Sequence, residues 1–279
     1  MIEAQLIPGS VEPTAMPELL SSGLLDDSAS VYRVDHNLVL KVSPPAFPDV
    51  AREMAEKAEM ARDCLGEGLG WAVATVLGQW EAEGVSCALF EQLTSISDKR
   101  VKRFVQVRRL TPAVLKWLRD VAAVDRGISN QGQACLQALA DCPYATLCRP
   151  AKVALASVAS GGFAPRSSIM HSDLWIGNVM LDPNGVRPFV LIDWRGSTVD
   201  GFPIFDLVKF AESTGLGRAA LRTELSEHCN RLACNMEDTR SYLLAALGYI
   251  WRHLEQFPPE RFLAMGENCL AALDNALNG

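Results

Sequence analysis

Asp173, Asn178 and Asp193 are the residues whose types and spacing can do chemistry. The first two stand in Met-His-Ser-Asp-Leu-Trp-Ile-Gly-Asn-Val-Met-Leu, which begins at Met170, and the third ends the run Pro-Phe-Val-Leu-Ile-Asp. Asp182 and the turn signal Pro183-Asn184-Gly185 separate the apolar runs Val179 to Leu181 and Phe189 to Ile192, a pattern that predicts a β-hairpin. A turn centred between Gly185 and Val186 puts Asn178 opposite Asp193, with Asp173 beside them. An amide and a carboxylate at a strand end suit Mg²⁺, which takes one or two protein oxygens and fills its other sites with water and phosphate oxygens. A third carboxylate nearby can take a proton.

ATP-dependent phosphoryl transfer needs this equipment, and protein kinases carry it in the same chain order: a catalytic-loop Asp, an Asn five residues on, and a later metal-binding Asp. The pattern His171-x-Asp173-x-x-x-x-Asn178 followed by Ile192-Asp193-Trp194 resembles the aminoglycoside phosphotransferase and choline kinase superfamily, small-molecule kinases with a protein-kinase-like fold. It departs from protein kinases where Ser172 replaces an Arg and Trp194-Arg195 replace Phe-Gly. The resemblance implies a two-lobed α/β (α+β) protein-kinase-like fold, with a small antiparallel-sheet N-lobe, a mostly helical C-lobe, and ATP and Mg²⁺ in the cleft. It also implies that Asp173 orients or deprotonates an acceptor hydroxyl, that Asn178 and Asp193 hold the metal, and that Asp206 braces the catalytic loop. His171 has no second histidine at ligand spacing and Mg²⁺ prefers oxygen, so His171 too reads as a loop brace.

Upstream elements must bring phosphates to these groups. Val31-Tyr-Arg-Val and Leu38-Val-Leu-Lys-Val predict a hairpin around Asp35-His36-Asn37. Period two puts Leu38, Leu40 and Val42 on one face and Val39, Lys41 and Ser43 on the other. Lys41 then either faces solvent or, as the resemblance implies, holds the α- and β-phosphates; its place between a hairpin and a helix favours the second. Asp49 to Leu65, after Pro48, is rich in helix formers. Glu53, Glu56 and Glu59 share one face of that helix, and any of them can pair with Lys41; Glu53, within Arg52-Glu53, fits the family pattern best. Ahead of the hairpin, Asp27-Ser28-Ala29-Ser30 occupies the place of the kinase phosphate loop but has no glycine. Ser28 and Ser30 can bond phosphate, Asp26 and Asp27 would repel it, and a plain polar turn is the alternative. Trp71 to Leu77 and Val85 to Leu93 complete the sheet, and Glu91 to Leu93 stand where a kinase-like linker bonds the adenine edge through its backbone.

Residues up to Leu25 carry Pro8, Pro13 and Pro17, and Glu18-Leu19-Leu20 reads as a helical turn. Lys99 to Arg109 is a basic run without an acidic residue, the composition of a solvated face. Thr111-Pro112 is an N-cap and N1 signal for a helix to Ala123. Further helices are predicted near Gln131 to Ala140, at Ala151 to Ser157, and from Gly217 onward with breaks at Asn235-Met236 and Pro258-Pro259. Tyr242 to Trp251 is apolar almost all round, the mark of a buried central helix. The predicted organisation is a nucleotide-binding lobe at residues 1–91 and a catalytic and acceptor-binding lobe at 92–279.

The chain has 279 residues, 49% hydrophobic and 21% charged, so it is globular. Its eight cysteines form no Cys-x-x-Cys pair and read as reduced thiols. No basic leader precedes an apolar stretch and no run approaches the roughly 18 apolar residues of a membrane span. The expectation is a cytoplasmic protein without a membrane partner. The net charge of −7 argues against nucleic acid as a partner and leans toward a cationic acceptor, while the Lys99 to Arg109 run leans toward an anion. An aminoglycoside, an amino alcohol such as choline, and a sugar all remain open as the small-molecule hydroxyl acceptor. An inactive nucleotide-binding or interaction module is the alternative that the glycine-free loop supports; the presence of Lys41, Asp173, Asn178 and Asp193 together opposes it.

Overall fold

A computed structural model describes residues 18–21, 28–35, 37–124, 127–255 and 257–278. Asp26, Asp27, His36 and the proline-rich stretch before Glu18 lie outside these. Strands β1 (Glu18–Ser21), β2 (Ser30–Asp35), β3 (Leu38–Val42), β4 (Val76–Ala82) and β5 (Val85–Glu91) form an antiparallel sheet in the order β1-β2-β3-β5-β4. The helical turn expected at Glu18 is instead strand β1. Its residues are exposed, so backbone pairing with β2 and the Glu18–Arg33 ion pair at 2.8 Å hold it, rather than an apolar face.

Alternation along β3 decides where Lys41 goes. Leu40 packs with Val34, Cys87 and Leu89 in a small outer cluster, joined by Leu38 and Val42. Lys41, one residue on, points to the opposite face, where it stands over the Phe90 ring at 5.4 Å. Helix α1 (Val50–Leu69) packs on that face through Ala51, Ala55 and Ala58, small residues that let helix and sheet approach closely. Its first orphan donors are capped from outside, since Ser43 Oγ accepts the Ala51 N–H at 2.8 Å and Ser86 Oγ the Arg52 N–H at 3.1 Å.

Strands β4 and β5 differ from expectation, and β4 runs Val76–Ala82 rather than Trp71 to Leu77. Residues Gly70–Ala72 form a 3-10 turn rather than the start of a strand. The Trp71 ring packs edge-on against Phe189 at 5.2 Å, and Val73 bridges Leu191, so tertiary contacts outweigh local β-propensity. Strand β5 ends at Glu91 rather than Leu93. Beyond it Thr94 exchanges two backbone hydrogen bonds with Leu181, at 3.0 and 2.8 Å, which ties the linker to the hairpin between Asn178 and Asp193.

The remaining chain is mostly helical: α2 (Arg100–Ala122), α3 (Gly132–Ala140), α4 (Ala145–Ala159), α5 (Ile204–Thr214), α6 (Arg218–Leu232), α7 (Asp238–Arg252) and α8 (Pro259–Leu277). Four short strands flank Asp173 and Asp193: β6 (Ser168–Met170) pairs with β9 (Thr198–Gly201), and β7 (Val179–Met180) pairs with β8 (Val190–Leu191). Thr111-Pro112 does not start a helix; both lie inside α2, and α4 likewise contains Pro150 and begins before Ala151. An interior proline costs about 3 kcal/mol, and α2 offsets this by burying Leu110, Val114, Trp117, Leu118 and Val121 along one face. The Lys99 to Arg109 run forms the first, largely exposed turns of α2. Tyr242 to Gly248 in α7 are all buried, and a Cβ at Gly248 would collide with the Cys135 backbone of α3, so glycine sets the closeness of that crossing. Among the described residues no helix is long and apolar enough to cross a membrane.

Candidate active site

The loop that bears Asp173 leaves β6 at Met170 and is held from below by the first turn of α5. Asp206, 3% exposed, accepts the backbone N–H of His171 at 2.6 Å and of Ser172 at 3.0 Å. Ser172 turns the chain with φ of 68°, and Gly196 makes room for its hydroxyl, since a Cβ there would overlap Ser172 Oγ. Burial pushes the Asp206 carboxyl up to about 7, against the lowering effect of the two N–H donors. The His171 ring is buried against Trp194 at 4.5 Å; Nε2 lies 2.8 Å from the Ile192 carbonyl and Nδ1 accepts the Asp173 N–H at 3.3 Å. That pattern requires a neutral imidazole with its proton on Nε2, and burial accordingly holds the His171 pKa down at about 4. Asp206→Ala is expected to destabilise the fold by about 1–3 kcal/mol for each buried donor it orphans; chemical denaturation of the variant, with an unchanged midpoint as the contrary result, checks this.

Asn178 is 5% exposed and donates from Nδ2 to both the Asp173 backbone carbonyl, at 2.9 Å, and the Asp173 carboxylate, at 3.1 Å. With its nitrogen so used, the amide has its oxygen left for a cation. Enclosure in the cleft pushes the Asp173 carboxyl up to about 6, against the opposing charge of Lys209 and the Asn178 hydrogen bond. The side chain remains open to solvent on one side.

The hairpin is one residue out of the expected register. Val179 pairs with Leu191 and Met180 with Val190, so Asn178 faces Ile192, whose N–H it accepts at 3.1 Å. A slip of one residue would aim Asp193 away from the cleft in a regular strand. Asp193 instead leaves the strand with φ of 62°, and this left-handed step returns its carboxylate to the site. There Oδ1 receives Lys41 Nζ at 2.5 Å across the lobes. Burial raises the Asp193 pKa, but the Lys41 charge and hydrogen bond outweigh it and keep the carboxyl below its ordinary range.

The APH family model, described as "Phosphotransferase enzyme family", matches residues 21–244. The chain belongs to this phosphotransferase family. No curated protein matches the sequence. Solved structures share the fold at low identity. One is a thermostable mutant of aminoglycoside phosphotransferase APH(4)-Ia in ternary complex with AMP-PNP and hygromycin B, with a TM-score of 0.61, 18% identity and 98% of each chain covered. Another is a putative fructosamine-3-kinase from Thermobifida fusca YX-ER1, with a TM-score of 0.56, 19% identity, and 93% of this chain and 94% of that one covered. The GDP complex of an aminoglycoside 2'-phosphotransferase-IIIa mutant gives a TM-score of 0.55 at 13% identity, over 98% and 94% of the two chains.

In this phosphotransferase the α1 glutamates do not meet Lys41. Glu53 pairs with Arg195 at 2.9 Å, and Arg195 also reaches Glu255 at 2.8 Å; Glu56 is exposed and lies 3.8 Å from Arg52, and Glu59 is exposed. Shared helical phase brought the three to one face, but Asp193 is the carboxylate that reaches the lysine. Glu91 turns its side chain to the other lobe, where Arg187 binds it at 2.8 and 2.5 Å, and its N–H bonds the Thr75 carbonyl. Leu93 is buried in the linker. Ser28 and Ser30 lie at the head of β2, with Ser30 paired to Val42. Sequence reasoning gave no assigned site role to Trp175, Lys209, Glu212 or Ser213, which with Asp173 line a cavity of about 270 Å³. A signal was present: Lys209 and Ser213 repeat at helical spacing from Asp206.

Proposed function

We propose that this phosphotransferase moves the γ-phosphoryl group of ATP to a hydroxyl of a small molecule, with Mg²⁺ as cofactor. The observation that carries the reading is the Lys41–Asp193 contact, which joins the sheet lobe to the hairpin next to the Asp173–Asn178 pair. The resemblance to structures described with AMP-PNP or ADP bound supports a nucleotide in this cleft.

Lys41 donates to the phosphates from the floor of the sheet lobe. Asp193 and Asn178 would hold Mg²⁺, which when bound supplies charge neutralisation to the phosphate oxygens. Both offer oxygen, and the depressed pKa of Asp193 keeps it anionic. Asp173 accepts the hydroxyl proton as the acceptor oxygen forms its bond to the γ-phosphorus; the bond from that phosphorus to the bridging oxygen breaks, and ADP departs with the electron pair. His171 and Asp206 keep the loop in place without touching substrate. Aminoglycoside phosphotransferases and a putative fructosamine-3-kinase among the structural neighbours support an acceptor that carries both hydroxyl and amino groups, and an amino alcohol such as choline is the alternative.

ADP release with MgATP and a panel of hydroxylated metabolites tests the proposal. Lys41→Ala is expected to lower kcat/KM for ATP on the order of 10- to 100-fold, the equivalent of about 1.5–3 kcal/mol for a hydrogen bond to a charged group. The melting temperature should change little, because Asp193 is partly solvated and tolerates loss of its partner. Unchanged ATP kinetics in this variant would place the nucleotide elsewhere.

A further inference from the structure

The cavity beside Asp173 has an unusual charge arrangement. Lys209, Glu212 and Ser213 occupy positions i, i+3 and i+4 of α5 and therefore share one face of that helix. All three line the cavity with Asp173 and Trp175. Among the described residues neither Lys209 nor Glu212 makes a salt bridge, with each other or with a third group, and the Glu212 carboxylate receives only the Cys269 thiol, at 3.9 Å. Ser213 is committed to the fold: it accepts the Ile176 N–H at 3.0 Å and donates to the Phe210 carbonyl at 2.9 Å. Trp175 is 41% exposed, and its indole lies over Gly177, where any Cβ would collide with the ring, so this aromatic wall is seated.

Lys209 lies close enough to oppose the Asp173 charge; with no salt bridge between them, Lys209 and Glu212 present a cation and a carboxylate to one recess, a match for a ligand carrying the opposite charges. From this geometry we infer that the acceptor is a zwitterionic alcohol. Its carboxylate meets Lys209, its ammonium meets Glu212, its carbon skeleton lies against Trp175, and its hydroxyl reaches Asp173. The inference rests on the proposed kinase reading and narrows its acceptor. Size agrees: about 270 Å³ falls below the roughly 300–1,000 Å³ of pockets for drug-sized ligands. The recess has room for a hydroxy amino acid or a single sugar ring bearing an amino acid.

The test uses the full chain with MgATP and measures ADP release and phosphorylated product. The probes are L-serine, L-homoserine and 5-hydroxy-L-norvaline, which move the hydroxyl outward one carbon at a time, with a fructosyl amino acid as the ring-bearing case. The methyl ester and N-acetyl derivative of each remove one charge, and glycerol and kanamycin serve as neutral and polycationic probes. At least one zwitterion should exceed its ester, its N-acetyl form, glycerol and kanamycin in kcat/KM by about tenfold or more. Lys209→Met should abolish the preference over the ester and Glu212→Gln the preference over the N-acetyl form, with KM for ATP unchanged; Lys209→Arg should restore the first. Preferential turnover of glycerol or kanamycin would overturn the inference and leave the kinase reading standing, as would Lys209→Met slowing zwitterion and ester equally. ADP release with none of the acceptors, from a chain that binds MgATP, also overturns it. Failure to bind MgATP at all would instead overturn the kinase reading, and the inference with it.

Discussion

Asp173→Asn is expected to slow phosphoryl transfer about 10²- to 10⁴-fold, the usual contribution of a positioned general base, while MgATP binds with nearly unchanged affinity. The substitution keeps shape and leaves an oxygen for the Asn178 amide, which donates to the Asp173 carboxylate at 3.1 Å. What it removes is the basic site for the acceptor proton. The same residue predicts a pH profile. A carboxyl raised to about 6 is protonated below that value, so the rate should fall as pH drops through about 6 and level off above it. This acid limb should vanish from the residual activity of Asp173→Asn. Excess Mg²⁺ should not restore the rate. Full turnover in the variant would remove Asp173 from the chemistry.

Asp193→Asn should fail at a different stage, with weakened MgATP binding rather than slow chemistry from a normal complex. It loses the anionic half of the proposed metal set and the partner of Lys41, 2.5 Å away. Because even the residues that only support metal ligands contribute about 10- to 100-fold in affinity, loss of a direct ligand should cost at least that much. Raised Mg²⁺ should recover part of the activity by mass action, since Asn178 and an amide oxygen at position 193 remain. Calorimetric titration of MgATP into both variants, beside their turnover rates, separates the roles. Normal MgATP affinity in Asp193→Asn would mean that the metal is held elsewhere.

The sequence by itself determined the chemical inventory and the coarse order of the fold. Asp173, Asn178 and Asp193 stood out in the sequence because their types and order match those of kinase-like phosphoryl transfer, and Lys41 because strand alternation separates it from Leu40; the roles proposed for them await the variants above. Local patterns also predicted α3 within a residue of its observed start, the β2–β3 hairpin and the buried Tyr242 segment, since each is set by periodicity or turn chemistry over a few residues.

Only the tertiary structure decided how the groups meet. The hairpin register depends on where its loop closes, and the positive φ of Asp193 compensates for the one-residue difference; neither has a signature in residue type. Glu53, Glu56 and Glu59 were equivalent by helical phase, and the choice of partner for Lys41 fell to Asp193 because the packing of one lobe on the other, not spacing along α1, sets that distance. Pro112 reads locally as a helix start, yet the apolar face of α2 runs through it, and burial against α5 and α6 exceeds the cost of one missing backbone bond. Lys209 and Glu212 carry no local mark of a site; they become a candidate acceptor site because α5, anchored through Asp206 beneath the loop that bears Asp173, turns that face toward Asp173. Residue types are carried by the chain, but the direction in which a charge points follows from which surfaces are buried around it.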